Sequence, residues 1–204
     1  MVRDPAALEV PPGPGTAERA TGTRGPLSRD DWIGAAIHAF RNGGRDAVRV
    51  EVLAEELGVT KGSFYWHFRN RAELLEGILA AWEQETERGI EAASEEETPL
   101  ERLRAFFRRV SETEQDYPPD VEILAWAREE PRVADVAKRV EGRRLAFVHE
   151  NLLAAGLEPK EAGRRAEIAY LASQGWVFQA GYGARASETR TPFTADVFDL
   201  LLDL

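Results

Sequence analysis

The sequence predicts an all-α protein, and two observations carry that prediction. Apolar residues recur at helical spacing along most of the chain, and no stretch alternates apolar and polar residues as a half-buried strand would. Glycine and proline punctuate the periodic segments, as at Asn42-Gly43-Gly44 and Tyr117-Pro118-Pro119. We therefore expect a small three-helix domain carrying a helix-turn-helix, followed by a larger helical domain.

The composition limits the class of protein and its environment. The 204 residues include no cysteine and three scattered histidines, so disulfides and thiolate metal sites are excluded and no histidine spacing indicates a metal site. No apolar run reaches the length of a membrane span, and no signal peptide opens the chain. We expect a cytoplasmic protein with no metal, no cofactor and no membrane association.

Three segments follow from the changes in composition. Residues 1–26 hold five prolines and four glycines without periodicity, which predicts a disordered arm. Residues 27–82 form the first predicted domain, and residues 83–204 form the second. Net charge is −10, but it is unevenly spread: residues 83–101 contain eight glutamates against a single arginine, whereas the first domain is mildly basic around its helix-turn-helix.

The first and fourth predicted helices are marked by their caps. Ser28 is the expected N-cap of a helix over 29–41, and Leu27 before it can pack on Trp32. The Asn-Gly-Gly sequence should end that helix. Asn70 is the expected N-cap of a helix reaching about residue 93, with Glu73 completing a capping box.

Residues 49–68 have the pattern of a helix-turn-helix. Val50, Leu53, Ala54 and Leu57 place one apolar stripe on a short helix, and Gly58 is suited to the left-handed backbone that follows it. Thr60 is the expected cap of the next helix, 61–68. Two short helices joined by such a turn predict the motif.

The second helix of the motif has an unusual surface. Phe64 and Phe68 should face inward, which leaves an ammonium, two hydroxyls, an imidazole, an indole and a glycine around the rest of the helix. Ordinary solvated helices favour Glu, Lys and Ala instead. These groups suit contacts with DNA phosphates and base edges. Trp66 is ambiguous, since it can pack on the first helix or lie against sugar-phosphate.

The segment GVTKGSFYWHFRNRAELL, residues 58–75, resembles the recognition segment of the TetR family of one-component transcriptional regulators. The likeness extends over roughly residues 28–82. It implies a homodimer that places two recognition helices in successive major grooves of a palindromic operator in double-stranded DNA. From the residues and the resemblance together, the predicted DNA contacts are Arg49, Thr60, Lys61, Gly62, Ser63, Tyr65, Trp66, His67 and Arg71.

Two positions depart from the family pattern. Arg49 stands where the family usually has Ser or Thr, which would cap the second helix and touch a phosphate; arginine can reach a phosphate but is a poor cap. Glu51 occupies a position where some relatives carry a basic, base-reading residue.

The helices of the second domain are predicted from the helical spacing of apolar residues alone. Thr98 and Pro99 begin one predicted helix, and others follow over 121–127, 132–155, 159–180 and 193–204. The last two look like the family's dimerisation bundle. Packing in the core is the common role of buried aromatics, but six residues are candidates to line a cavity for a small-molecule effector: Phe107, Trp126, Phe147, His149, Tyr170 and Trp176.

The predicted function is a DNA-binding transcriptional regulator, a repressor that leaves its operator when it binds a small molecule. One alternative is a helical dimeric interaction module without DNA binding. The other is an enzyme, against which stand the lack of a nucleophile motif and of clustered histidines with acidic partners.

Overall fold

The computed structural model describes residues 27–111 and 119–181, and within those ranges the protein is all-α, as predicted. The described helices are α1 (Arg29–Ala47), α2 (Val50–Glu56), α3 (Lys61–Phe64), α4 (Arg71–Ser94), α5 (Pro99–Ser111), α6 (Asp120–Ala127), α7 (Pro131–Ala154) and α8 (Pro159–Gly181). The arm predicted over residues 1–26 and the helix predicted over 193–204 lie outside the described residues.

Helix α1 begins at the predicted cap. The Asp31 N–H donates to the Ser28 hydroxyl, and the Ser28 N–H donates to the Asp31 carboxylate at 2.7 Å, so a complete capping box fixes the N-terminus. The regular helix breaks at the predicted glycines, where Gly44 has φ 61°, a left-handed backbone that glycine adopts without strain. A short turn then continues to Ala47, beyond the predicted break at Asn42-Gly43-Gly44.

Helix α4 starts at Asn70 with a cap that differs in one detail from the prediction. The Asn70 side chain accepts from the Glu73 N–H at 3.0 Å, as expected. The Glu73 carboxylate accepts from the N–H of Arg69 at 2.9 Å instead of closing the box on Asn70, because there it also meets the Arg69 Nε at 3.1 Å. That charged partner makes the alternative contact the stronger one. Both hydrogen bonds from Arg69 lower the pKa of Glu73, and the bond from the backbone N–H has the larger effect.

One apolar core joins the two predicted domains. Helix α4 runs through the predicted boundary at residue 82, and its buried stripe from Leu74 to Trp82 packs on α1 and α7. Helix α6 also lies on α1, where the rings of Phe40 and Trp126 are 6.1 Å apart. Because these helices are closely packed, a shift of α6 or α7 would displace the helices that support the helix-turn-helix.

Two smaller apolar clusters hold the second region together, one between α5, α7 and α8 and the other between α4, α5 and α7. Leu103 and Phe107 pack against Val148 and Leu152, with alanines of α8 closing the cluster. The small alanine side chains allow α8 to approach α7 closely. None of the helices in the described ranges combines the length and apolar character needed to cross a membrane.

Candidate nucleic-acid interface

The α3 segment is anchored by its two phenylalanines. Phe64 and Phe68 are 0% and 1% exposed, as predicted. Their rings stack on each other at 5.3 Å, and Phe64 meets the edge of Trp32 of α1 at the same distance. Burial of two such rings fixes which side of the segment faces the body.

The segment is shorter as an α-helix than predicted. Helix α3 covers four residues, 61–64, and then tightens: the N–H groups of Trp66 and His67 donate three residues back, to Ser63 and Phe64. Such 3₁₀-type turns are common at helix ends. Thr60 is the N-cap by backbone geometry, but its hydroxyl makes no cap hydrogen bond, so the predicted side-chain cap is wrong. The turn before it is as expected, with Gly58 at φ 70°.

Two large aromatic side chains leave this segment toward solvent. Tyr65 is 57% exposed and Trp66 is 88% exposed. Trp66 therefore does not pack on α1, which was one of its two predicted environments. A tryptophan that is this exposed gains almost no burial energy in the folded chain, so its indole is available for contact with a partner.

Lys61 lies beside an acidic residue that was not among the predicted contacts. Its ammonium is 2.5 Å from a carboxylate oxygen of Glu51 on α2, and both side chains are at least half exposed. The hydrogen bond between them raises the pKa of Lys61 and lowers the pKa of Glu51. Tyr65 also contributes to the raised pKa of Lys61. Because all three side chains are exposed, we call Glu51, Lys61 and Tyr65 the exposed cluster.

The remaining predicted contacts surround this cluster. Thr60 and Gly62 are exposed, whereas Ser63 and His67 are half-buried. Arg49 is exposed at the N-cap position of α2 and makes no side-chain cap hydrogen bond, in agreement with its expected weakness as a cap. Its guanidinium is thus not committed to the helix end.

Arg71 has a structural role that the sequence did not reveal. Its Nε donates to the Val48 carbonyl at 2.7 Å, and a second guanidinium nitrogen donates to the Arg45 carbonyl. These carbonyls end α1, so Arg71 ties the start of α4 to that end. Its predicted phosphate contact would add to this role.

A second candidate site lies between α1, α4, α5, α7 and α8 and the start of α6. There a cavity of about 620 Å³ is bounded on its apolar side by residues that include Ile37, Trp82, Phe106 and Val177. The volume falls in the range of sites for small organic ligands.

A buried polar cluster forms one wall of this cavity. The Asp120 carboxylate accepts from the Trp82 indole at 3.0 Å and pairs with Arg144, whose guanidinium also donates to the Thr86 hydroxyl at 3.0 Å. Tyr170, which lines the same cavity, also interacts with this guanidinium and contributes to the raised pKa of Arg144. Burial opposes the charge of Arg144, but Asp120 outweighs it and raises the pKa. Burial, opposed by Arg144, raises the pKa of Tyr170 to about 12.

Of the six residues predicted to line an effector cavity, Tyr170 lines this one. The other five lie in packing positions, because their helix faces turn toward neighbouring helices. Phe107 and Phe147 are buried in the small apolar clusters, and Trp176 packs on the first of them. Trp126 packs on α1 and donates to Glu130 at 2.9 Å, and His149 is half-buried facing Gly163. The residues that sequence reasoning missed are Trp82, Thr86, Phe106, Asp120 and Arg144.

The described residues contain no group of three or more histidine, aspartate or glutamate side chains arranged to hold a metal ion.

The fold and the α2–turn–α3 geometry define a helix-turn-helix protein with an all-helical second region. Residues 33–78 match the model of the family described as "Bacterial regulatory proteins, tetR family". This match confirms the tetR-family resemblance seen in residues 58–75.

Similar proteins agree with this assignment. Over 88 residues the chain is 39% identical to the probable HTH-type transcriptional regulator ArpR of Pseudomonas putida and 38% identical to the HTH-type transcriptional regulator TtgR of the same species. In both cases the match covers 43% of this chain and 39% of the relative, so the chain spans about two fifths of the length of these relatives.

The likeness of fold extends further. A TetR-family transcriptional regulator from Streptomyces coelicolor has a crystal structure that aligns with a TM-score of 0.69, over 86% of this chain and 92% of that one. Sequence identity is only 16%, so this match concerns the fold alone.

Proposed function

We propose that this protein is a DNA-binding transcriptional repressor, and that a small molecule bound in the second region releases it from its operator. The observation that carries the proposal is the exposed face of the α3 segment. Lys61, Tyr65 and Trp66 project outward while Phe64 and Phe68 hold the segment to the core. Relatives matching this part of the chain are described as transcriptional regulators.

In the proposed complex, α3 enters the major groove. Tyr65 and His67 contact phosphates, and Lys61 with Ser63 reaches base edges. The sugar-phosphate backbone on either side of the groove is contacted by the remaining residues of this face: Arg49, Thr60, Gly62, Trp66 and Arg71. With a net charge of −10 for the whole chain, non-specific attraction to DNA is weak, so affinity depends on the local contacts of this face.

The operator is proposed to be palindromic because the protein is proposed to be a homodimer. Helix α8 carries an apolar stripe toward solvent: Ile168, Leu171 and Phe178 are 47%, 67% and 52% exposed. Gly175 lies near this stripe with open space where a side chain would be, which would let a second helix approach closely. Exposed apolar patches on one helix are typical of subunit interfaces.

The effector is proposed to occupy the cavity between α1, α4, α5, α7, α8 and the start of α6. Its apolar body would lie against Trp82 and Phe106, and hydrogen-bonding groups would meet Tyr170 and Arg144. Because α4 lines this cavity and also leads directly from the helix-turn-helix, a ligand that favours one position of α4 changes the spacing of the two recognition segments in a dimer.

The DNA-binding part is tested with the full chain and a library of randomised duplexes. Selection should yield a palindromic sequence with half-sites about one helical turn apart. Lys61→Ala and Tyr65→Phe should each weaken binding of the selected duplex at fixed salt, measured by fluorescence anisotropy, while the dimer stays intact. Enrichment of no sequence, or unchanged affinity in both variants, would contradict the proposal.

The dimer is tested by light scattering on two matched variants. Leu171→Glu introduces a charge into the α8 stripe and should give a monomer. Leu153→Glu introduces the same charge at an exposed position of α7, where the mass should stay that of a dimer. A dimeric Leu171→Glu protein would place the interface elsewhere.

The effector is tested by a thermal-shift screen of small molecules. A true effector raises the melting temperature, because it binds the folded form, and also lowers affinity for the selected duplex. Tyr170→Phe should reduce both effects of the same compound. A compound that stabilises the protein without weakening DNA binding would argue against release.

A further inference from the structure

Glu51 is a conspicuous group in the middle of the proposed DNA-binding face. It lies in the first turn of α2, and the Glu51 and Lys61 side chains are 60% and 50% exposed, with the two charged groups 2.5 Å apart. Two helices thus bring an acceptor and a donor together at one point of the surface. Both belong to the exposed cluster that also contains Tyr65.

A carboxylate on a DNA-binding face is unfavourable unless it finds a donor, since phosphates repel it. In the major groove, glutamate accepts from the N4 amino group of cytosine, and lysine donates to O6 or N7 of guanine. The cytosine N4 and guanine O6 of one base pair are hydrogen-bonded to each other, about 2.9 Å apart. An ion pair already in contact therefore matches the edge of a single C·G pair, donor to acceptor and acceptor to donor.

An A·T pair fits this arrangement less well. It also offers an amino donor beside a carbonyl acceptor, but thymine presents only O4 to the ammonium and adds a methyl group, whereas guanine presents two acceptors. The Glu51–Lys61 pair carries no net charge, so its contribution is to sequence preference more than to general attraction for DNA.

We propose that Glu51 and Lys61 act together as the reader of one C·G base pair in each half-site, with Lys61 donating to guanine and Glu51 accepting from cytosine. Glu51 is then a specificity-determining residue. This inference rests on the proposed DNA-binding function.

The test uses the full chain and the duplex obtained by selection. Each base pair of one half-site is replaced in turn, and dissociation constants are measured by fluorescence anisotropy at one salt concentration. With the unaltered protein, one C·G pair should be found whose replacement by T·A weakens binding about 10- to 100-fold.

Glu51→Ala should reduce the effect of replacing that pair at least about threefold while the other positions keep their preferences, because cytosine loses its acceptor although Lys61 still donates to guanine. The variant should also bind random duplexes more tightly, because Lys61 is released from its partner and one negative charge is removed. Glu56→Ala removes the same charge from another exposed position of α2 and should leave the preference for C·G unchanged.

The outcomes separate the two proposals. If no duplex is selected, DNA binding itself fails. If a duplex is bound specifically but Glu51→Ala keeps the full C·G preference at an unchanged melting temperature, the proposed contact of Glu51 and Lys61 with a C·G pair is wrong while DNA binding stands. The same conclusion follows if the base pair whose preference is lost in Glu51→Ala is an A·T pair.

Discussion

The helix-turn-helix and the second helical region use polar and apolar side chains in opposite ways. Around α3 the phenylalanines are buried and the charged and aromatic residues face outward, with Trp66 at 88% exposure. In the second region the charges of Asp120 and Arg144 are buried beside a cavity, while Leu171 is exposed on α8. Under the proposed function, the first region presents its polar groups to DNA, and the second encloses its polar groups around a small molecule.

The largest effect is expected from breaking the anchor of the first region. Phe64→Ala should cost about 3–5 kcal/mol of unfolding free energy, because it removes a fully buried ring that packs on Trp32 and Phe68. Chemical denaturation measures this. Trp66→Ala, two residues away and exposed, is the matched control and should change stability by less than about 0.5 kcal/mol. Equal losses in the two variants would contradict the division into an anchored and a free face.

A comparable loss is expected when the buried pair of the second region is broken. Asp120→Ala leaves the Arg144 guanidinium without its carboxylate in a buried setting and should cost about 3 kcal/mol. The double variant Asp120→Ala with Arg144→Met should recover part of that loss, since no buried charge remains. Denaturant titration of the three proteins tests this, and a double variant no more stable than the single one would show that the charge is not the cause.

A smaller effect is expected on DNA binding when the exposed indole is removed. Trp66→Ala should weaken binding of the selected duplex about tenfold, because a large contact surface is lost at the proposed interface. Its unchanged stability makes the affinity measurement easy to interpret. An unaltered dissociation constant would remove Trp66 from the proposed contacts.

The smallest effect concerns Tyr170 and pH. Its pKa in the folded protein is about 12, above the ordinary tyrosine value of 10.0, so the folded state holds the phenolic proton more strongly. That stabilising contribution is present in full below pH 10 and falls as pH rises toward 12. Tyr170→Phe should therefore lose less stability than the unaltered protein when urea unfolding at about pH 11 is compared with pH 9. Identical losses would contradict the raised pKa.

The first region was largely predictable because its signals are local. Ser28, Gly58 and the Phe64–Phe68 spacing each act within a few residues, so the cap of α1, the turn and the buried face followed from the sequence, whereas the predicted side-chain cap at Thr60 did not form. What was missed there depends on contacts between helices: Glu51 reaches Lys61 across the turn, and Arg71 reaches the end of α1.

The cavity was poorly predicted for the same physical reason. Neighbouring Phe106 and Phe107 both lie on α5, and only the packing of α7 and α8 decides that Phe106 faces the cavity while Phe107 enters the core. Arg144 and Asp120 lie 24 residues apart, and no sequence spacing marks them as a pair. Six helices must be in place before such a site exists.

The most direct measurement is hydrogen exchange of the full chain, with and without the selected duplex. We expect slower exchange in the duplex-bound protein to centre on residues 58–70, which hold the turn, α3 and the N-cap of α4. The exposed surfaces of α5 and α7 should exchange at the same rates in both samples. A bound duplex that leaves residues 58–70 unprotected and slows exchange elsewhere would contradict the assignment of this segment as the DNA-binding face.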